Sequence, residues 1–275
     1  MPEKISNPPS LKYVEEKISA YSKLLDRQVS VTLLLPSNYA ERKSNYPLLL
    51  LNDGQDIPGL RVKSTVEGLI GEAAIKEVIV AGVVAGDRMQ EYGVAAQKDY
   101  LKRGSRAKAY TRYLTTELIP YLRYKYPIDP AASANAIAGC SMGGLSALDI
   151  IWNHPQFFQK VGVFSGSLWW RKRDSSSLLY SDQRDRLMHR QIRIGKKREG
   201  LKFWFQTGKL DEQNDRNKNG VIDSIDDTLD LMAELVKKGY RPFHDIQYYE
   251  MAEGKHNLET WAEAMPKFLK WAFGK

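Results

Sequence analysis

Ala134-Asn135-Ala136-Ile137-Ala138-Gly139-Cys140-Ser141-Met142-Gly143-Gly144-Leu145-Ser146-Ala147-Leu148 carries a short apolar strand, a glycine-flanked serine and the start of a helix. The strand is Ala134 to Ala138, and the helix runs from Met142 to Asn153 with Leu145, Leu148 and Trp152 on one face. G-x-S-x-G by itself is a weak signal. Between a strand and a helix it is specific, because a serine on so sharp a turn sits in a strained backbone and its neighbours need almost no side chain. Gly139, Gly143 and Gly144 meet that need. The helix also aims its first N–H groups at the place where an oxyanion would form beside the serine. Ser141 is therefore the candidate nucleophile, and Cys140 reads as a small buried neighbour. The bland alternative is a Gly-rich turn with an idle serine, and the partners decide between them.

Outward from this stretch, strands and helices alternate. Upstream, Lys12 to Ser19 and Gln28 to Leu35 are β-compatible, and Leu48-Leu49-Leu50-Leu51 reads as a strand buried on both faces. Asn52-Asp53-Gly54 turns the chain into a helical pattern at Ser64 to Lys76, and Val78 to Val84 is another buried strand. Tyr110 to Tyr126 is helical, closed by Pro127. Downstream come strands at Val161 to Phe164 and Lys202 to Gln206, and a helix at Ile225 to Lys238. A strand at Phe243 to Glu250 and a helix at Leu258 to Phe273 complete the series. The alternation predicts one α/β domain over residues 1–275, with a mostly parallel sheet and helices on both faces. Arg171 to Gly200 fits no strand–helix repeat and reads as an insertion or cap.

A nucleophilic serine needs a base and an orienting acid, in the chain order Ser, acid, His for this type of turn. There are four histidines. His154 ends the helix that Ser141 opens, roughly 18–20 Å away along the axis. His189 lies in the insertion and His244 inside the last strand. His256 follows that strand in a loop at the serine's end of the sheet. It is the candidate base. The preceding strand ends in Gly208-Lys209-Leu210-Asp211-Glu212, which makes Asp211 the candidate acid ahead of Glu212.

Several further stretches, taken with these, resemble the esterase family that includes enterochelin esterases, S-formylglutathione hydrolase, feruloyl esterases and the mycolyltransferases. They are Tyr46-Pro47-Leu48-Leu49 leading to Asp53-Gly54-Gln55-Asp56, then Asp87-Arg88-Met89-Gln90-Glu91-Tyr92, and Glu117-Leu118-Ile119-Pro120-Tyr121. Phe164-Ser165-Gly166-Ser167-Leu168-Trp169-Trp170 and Gly254-Lys255-His256-Asn257 follow. The resemblance covers the chain from about Ser22 onward and implies the α/β-hydrolase fold. It also implies an oxyanion hole from the backbone N–H groups of Gln55 and Met142, and a substrate pocket lined by Ser167, Trp169 and Trp170. Arg88 and Glu91, after another parallel strand, belong to the same end of the sheet, either as pocket residues or as buttresses of the site. Lys255 stands where many relatives carry a second glycine.

Asp215-Arg216-Asn217-Lys218-Asn219-Gly220-Val221-Ile222-Asp223-Ser224-Ile225-Asp226 follows the candidate acid. Asp215, Asn217, Asn219, Asp223 and Asp226 occupy positions 1, 3, 5, 9 and 12 of a calcium-loop pattern, and Val221 would give its carbonyl at position 7. The other reading is an Asx-rich turn with Ser224 capping the next helix. A bound calcium ion would brace the loop that carries Asp211, and the chemistry itself needs no cofactor.

Composition bounds the rest. With 43% hydrophobic and 27% charged residues in 275, a sizeable core is available. One cysteine allows no internal disulfide, and no signal peptide is visible behind Met1-Pro2-Glu3-Lys4-Ile5-Ser6-Asn7. The sequence as it stands therefore reads as cytoplasmic, and as periplasmic or secreted if a leader has been removed. No apolar run is long enough to span a bilayer. Arg171 to Lys202 holds nearly all of the +8 net charge; it reads first as a solvated face and second as a means of attracting anions. It lacks the interleaved aromatics of a nucleic-acid surface. The expected activity is hydrolysis of a small-molecule carboxylic ester, anionic or aromatic in view of the basic stretch and the two tryptophans. The rivals are an acyltransferase using the same triad and a non-catalytic, calcium-braced binding module.

Overall fold

The computed structural model describes residues 12–41 and 45–275; the leader reading at Met1 to Asn7 lies outside them. Strands β1 (Tyr13–Ser22) and β2 (Arg27–Pro36) form a hairpin. Then follow β3 (Leu48–Asn52), a 3-10 turn at Gly54–Asp56, α1 (Val62–Gly71), β4 (Ile79–Val83), α2 (Arg88–Glu91) and α3 (Ala107–Tyr113). A π-helical turn at Leu114–Leu118 carries α3 into α4 (Ile119–Lys125). Next come β5 (Ala136–Cys140), α5 (Met142–Asn153), β6 (Lys160–Phe164), α6 (Asp182–Asp185) and α7 (Leu187–Ile194). The chain closes with β7 (Lys202–Leu210), α8 (Asp223–Lys237), β8 (Ile246–Lys255) and α9 (Leu258–Phe273).

The eight strands make one sheet in the order β1-β2-β4-β3-β5-β6-β7-β8. The β1–β2 and β2–β4 pairs are antiparallel, and every pair from β4–β3 to β7–β8 is parallel. This is the α/β-hydrolase fold. Alternation along β3 shows why the sheet needs two covering layers. Leu48 and Leu50 join the core beneath α3, α4, α5, α7 and α8, whereas Leu49 and Leu51 join the core beneath α1 and α9. Helix α5 is buried from Met142 to Trp152, so the serine turn rests on a fixed base.

Two strand readings are corrected. The last strand begins at Ile246, because Phe243 has φ +62° and Arg241 to Asp245 closes a hydrogen-bonded turn. His244 lies in that turn, exposed and bonded to Arg241 and Asp245. Strand β7 runs to Leu210, four residues past its expected end, and so delivers Asp211 directly from a strand. The insertion contains α7, whose Met188, His189 and Ile192 are fully buried against the core.

Candidate active site

Ser141 has φ +54° and ψ −120°, a conformation L residues rarely adopt, between the end of β5 and the first residue of α5. The flanking glycines are sterically required. A Cβ on Gly139 would lie 2.5 Å from the Gly143 carbonyl, and one on Gly144 would lie 2.8 Å from the Gly139 oxygen. The Ser141 Oγ reaches a cleft of about 320 Å³ and lies 3.2 Å from the Ser167 Oγ. Cys140 is buried, and burial pushes its thiol well above the ordinary value, so it stays protonated.

Asp211 and His256 line the same cleft. Their strands end side by side because two glycines let the backbones touch: a Cβ on Gly208 would sit 2.3 Å from the Gly254 oxygen. The Gly208 N–H donates to Asp211 Oδ2 at 3.0 Å, while Oδ1 is buried with no hydrogen-bond partner. Burial raises the Asp211 carboxyl, opposed by the Gly208 bond, by Ser165 and by His256. His256 is shifted the other way: partial burial and Arg88 lower it, while Asp211 raises it. The imidazole stands edge-to-face on Trp261 at 5.1 Å. Its loop is pinned on both sides. Asn257 caps α9 by accepting from the Thr260 N–H, and Thr260 Oγ1 accepts from the Lys255 N–H, while the Lys255 residue itself is exposed. No hydrogen bond joins Ser141 to His256 or His256 to Asp211; catalytic hydrogen bonds are often long before substrate binds.

The Met142 N–H, at the first position of α5, is one of the donors that a helix leaves without an internal partner. Asn52 Nδ2 donates to the Gly143 carbonyl and ties the end of β3 to the serine turn. Beyond it Asp53 is buried at φ +61°, with its N–H on the Tyr92 hydroxyl and its carboxylate in a two-point ion pair with Arg88, at 2.7 and 3.0 Å. Gln55 follows; its side chain donates to Asp53 Oδ1, and the residue lines a neighbouring groove rather than the Ser141 cleft. Arg88 thus lines the cleft and braces the Asp53 turn together. Glu91 does not line it: 2% exposed, it is held by Arg27 at 2.7 and 2.8 Å and by the Gly86 N–H.

The two tryptophans part company. Trp169 lines the cleft, but Trp170 is fully buried against Gly93 and Gly104, so its expected pocket role is withdrawn. A side chain on either glycine would strike the Trp170 ring, and both glycines have positive φ. Arg103, which no motif signals, stacks its guanidinium over both indoles, at 4.9 and 5.2 Å, and is ion-paired with Asp99. Met89, Ser165, Gly166, Glu212 and Ser224 complete the lining.

In the loop 215–226, Asn217 and Asn219 both donate to Asp226 Oδ2 at 2.8 Å, and Asp215 accepts from the N–H groups of Asn219 and Gly220. Asp223 turns away, held by the backbone and guanidinium of Arg216. Among the described residues no group of three or more His, Cys, Asp or Glu side chains is placed to hold a metal ion. The side-chain oxygens of Asn217 and Asn219 accept from the N–H groups of Asn219 and Val221, as in an Asx-rich turn.

The family described as "Putative esterase" matches residues 22–272. The uncharacterized protein YjcH of Bacillus subtilis is 24% identical over 258 residues, spanning 94% of this chain and 96% of that protein. Among solved structures, a ferulic acid esterase superposes with a TM-score of 0.70 at 18% identity, covering 95% of this chain and 98% of its own. The ferric enterobactin esterase of Salmonella typhimurium gives 0.73 at 20% identity over 97% of this chain, which spans 60% of that protein's length.

Proposed function

This chain belongs to the putative-esterase family and is a carboxylic ester hydrolase, and from that premise we propose that it cleaves its ester through an acyl-enzyme on Ser141, with His256 as base and Asp211 as orienting acid. The observation that carries this reading is the juxtaposition in one cleft of a serine at φ +54°, a histidine and a largely buried carboxylate. The Ser141 oxygen attacks the carbonyl carbon while the imidazole takes its proton. The Met142 and Gln55 N–H groups hold the tetrahedral oxyanion. As the C–O bond to the alcohol breaks, the imidazolium returns the proton to the leaving oxygen. Water, deprotonated by the same imidazole, then attacks the acyl-enzyme and releases the acid and free Ser141. Asp211 Oδ1 accepts from the far imidazole N–H and fixes the tautomer.

Ser141→Ala is expected to abolish hydrolysis of 4-nitrophenyl acetate and labelling by a fluorophosphonate, with thermal unfolding unchanged; wild-type turnover in that variant would sink the assignment. Acyl transfer to an alcohol uses the same first half-reaction, and product analysis with added alcohols separates it from hydrolysis. The substrate class is an anionic or aromatic ester. Trp169 at the cleft supports it, as do the ferulic and enterobactin names of the structural neighbours. A structural calcium ion held by Asp215, Asn217, Asn219, the Val221 carbonyl, Asp223 and Asp226 is a separate proposal, resting on the spacing of those residues alone. It predicts that calcium raises the unfolding temperature of metal-stripped protein and that Asp215→Ala removes the effect. Calorimetry showing no heat of binding would dismiss it.

A further inference from the structure

Beside the catalytic cleft lies a second, more polar cleft of about 520 Å³, and the two share Trp169 and Glu212. Each is of the size that holds a small ligand. Four arginines line the pair, and three of them are already answered by carboxylates. Arg88 pairs with Asp53, Arg103 with Asp99, and Arg216 with Asp182, Asp223 and Asp227.

Arg171 is different. Its guanidinium lies between the rings of Tyr100 and Tyr180, at 5.7 and 5.8 Å, and among the described residues no carboxylate comes within ion-pair distance of it. Its Nε is buried without a hydrogen-bond acceptor. The acids nearby are otherwise engaged: Asp223 by Arg216, Asp215 by the Asn219 and Gly220 N–H groups, and Glu212 by Asn214. Half-buried Asp174 accepts the Ser176 N–H and hydroxyl on its Oδ1, and Arg171 adds a weaker electrostatic pull without an ion pair. The aromatic rings hold the guanidinium plane in place without neutralising it. Its backbone is also fixed, because the Arg171 carbonyl accepts from the Tyr100 N–H and the residue bridges to Arg186.

We propose that Arg171 is the specificity-determining residue for a carboxylate at the far end of the ester. The scissile bond sits at Ser141, the chain passes Trp169, and the carboxylate pairs with the guanidinium in the polar cleft. This rests on the reading of Ser141 given above and deepens it, from an anionic or aromatic ester to one with a terminal carboxylate. A planar guanidinium held with no acid of its own is suited to two-point recognition of a carboxylate.

Two ester series test it, each carboxylate-ended ester matched with its methyl-capped neutral partner. One carries the carboxylate on the acyl side, as 4-nitrophenyl half-esters of straight-chain dicarboxylic acids from succinate to suberate. The other carries it on the alcohol side, as butyrates of ω-hydroxy acids. At the chain length that spans the two clefts, kcat/KM is expected to favour the anionic ester by about 10-fold or more. Arg171→Gln should remove that preference through KM while leaving the neutral ester unchanged, and Arg171→Lys should keep part of it. The series that shows the preference identifies the side of the ester facing Trp169. No preference in either series overturns the proposal, as does an equal loss on both members of a pair in Arg171→Gln. Calorimetry with intact carboxylate-ended ester on Ser141→Ala protein, with and without Arg171→Gln, reads the site without turnover. If esters are not hydrolysed yet binding falls about 10-fold on loss of Arg171, the triad is wrong and the subsite stands. If hydrolysis proceeds and binding does not depend on Arg171, the reverse holds.

Discussion

Asp211 and Glu212 are adjacent acids lining one cleft, and their surroundings set them apart. Asp211 takes the Gly208 N–H on one oxygen, keeps the other buried and open, and interacts electrostatically with His256; Glu212 leans on Asn214. Asp211→Asn is therefore expected to lower kcat by about 10³–10⁴-fold, the cost of losing the tautomer-fixing charge. Glu212→Gln should stay within a few-fold, and steady-state kinetics on the two variants decides. The pH profile tests the base. Burial and Arg88 hold His256 below its ordinary value of 6.5 against the pull of Asp211, and only neutral imidazole accepts the serine proton. The kcat/KM should therefore rise with pH along a limb centred below 6.5; a limb centred above 7 would exclude this environment. Ser141, Asp211 and His256 could be proposed from the sequence because chain order and strand ends single them out, and the fold brings all three to one cleft. Arg103, Arg171 and the divergent fates of Trp169 and Trp170 could not, because each depends on rings or loops brought together from distant segments. Glu91 could be read as pocket lining or as a buttress, and its partner Arg27, 64 residues away, makes it a buttress.

Strand and helix boundaries carry the next level of control. The chain's alternation reveals the parallel sheet, and the serine helix and the final helix were placed to the residue. The ends of β7 and β8 were hidden, because Gly208 and Gly254 look like strand breakers and are in fact what allows those strands to approach. The register shift between Gly208 and Leu210 lies at that contact. Gly208→Ala would force the two strand ends apart. It should destabilise the protein by about 1–3 kcal/mol, as overpacking does, and reduce kcat by moving Asp211 relative to His256. Gly68→Ala is the contrasting case. That position faces open space in α1, and the substitution should add about 0.5–1 kcal/mol of stability with no kinetic effect. Urea denaturation and kcat measured on both variants give the comparison.

At the scale of the molecule, part of the basic stretch from Arg171 to Lys202 fastens the insertion, while Lys172, Arg184, Arg190, Lys196 and Lys197 are exposed. Arg186 is buried and meets Asp227 and Asp230, and Arg193 meets Glu234, all on α8; Lys172 and Arg173 meet Asp185 within the insertion. Net charge by residue number could not show this, since the answering acids lie some 40 residues further along. Asp227 also receives Arg216, from the loop that starts at Asp211, so one buried carboxylate joins the insertion, α8 and the segment bearing the acid. Arg186→Ala leaves that carboxylate half-answered in the interior and is expected to cost about 3–5 kcal/mol, whereas Lys197→Ala on the surface should cost less than about 0.5. Because the buried pair is dear to break and inexpensive to replace, Arg186→Met combined with Asp227→Leu should recover most of the loss, with Arg216 retaining Asp182 and Asp223. Urea midpoints across the three variants settle the matter. If Arg186→Ala costs no more than Lys197→Ala, the charge in this stretch faces outward, and the fastening of the insertion must lie in the apolar packing of Met188 and Ile192.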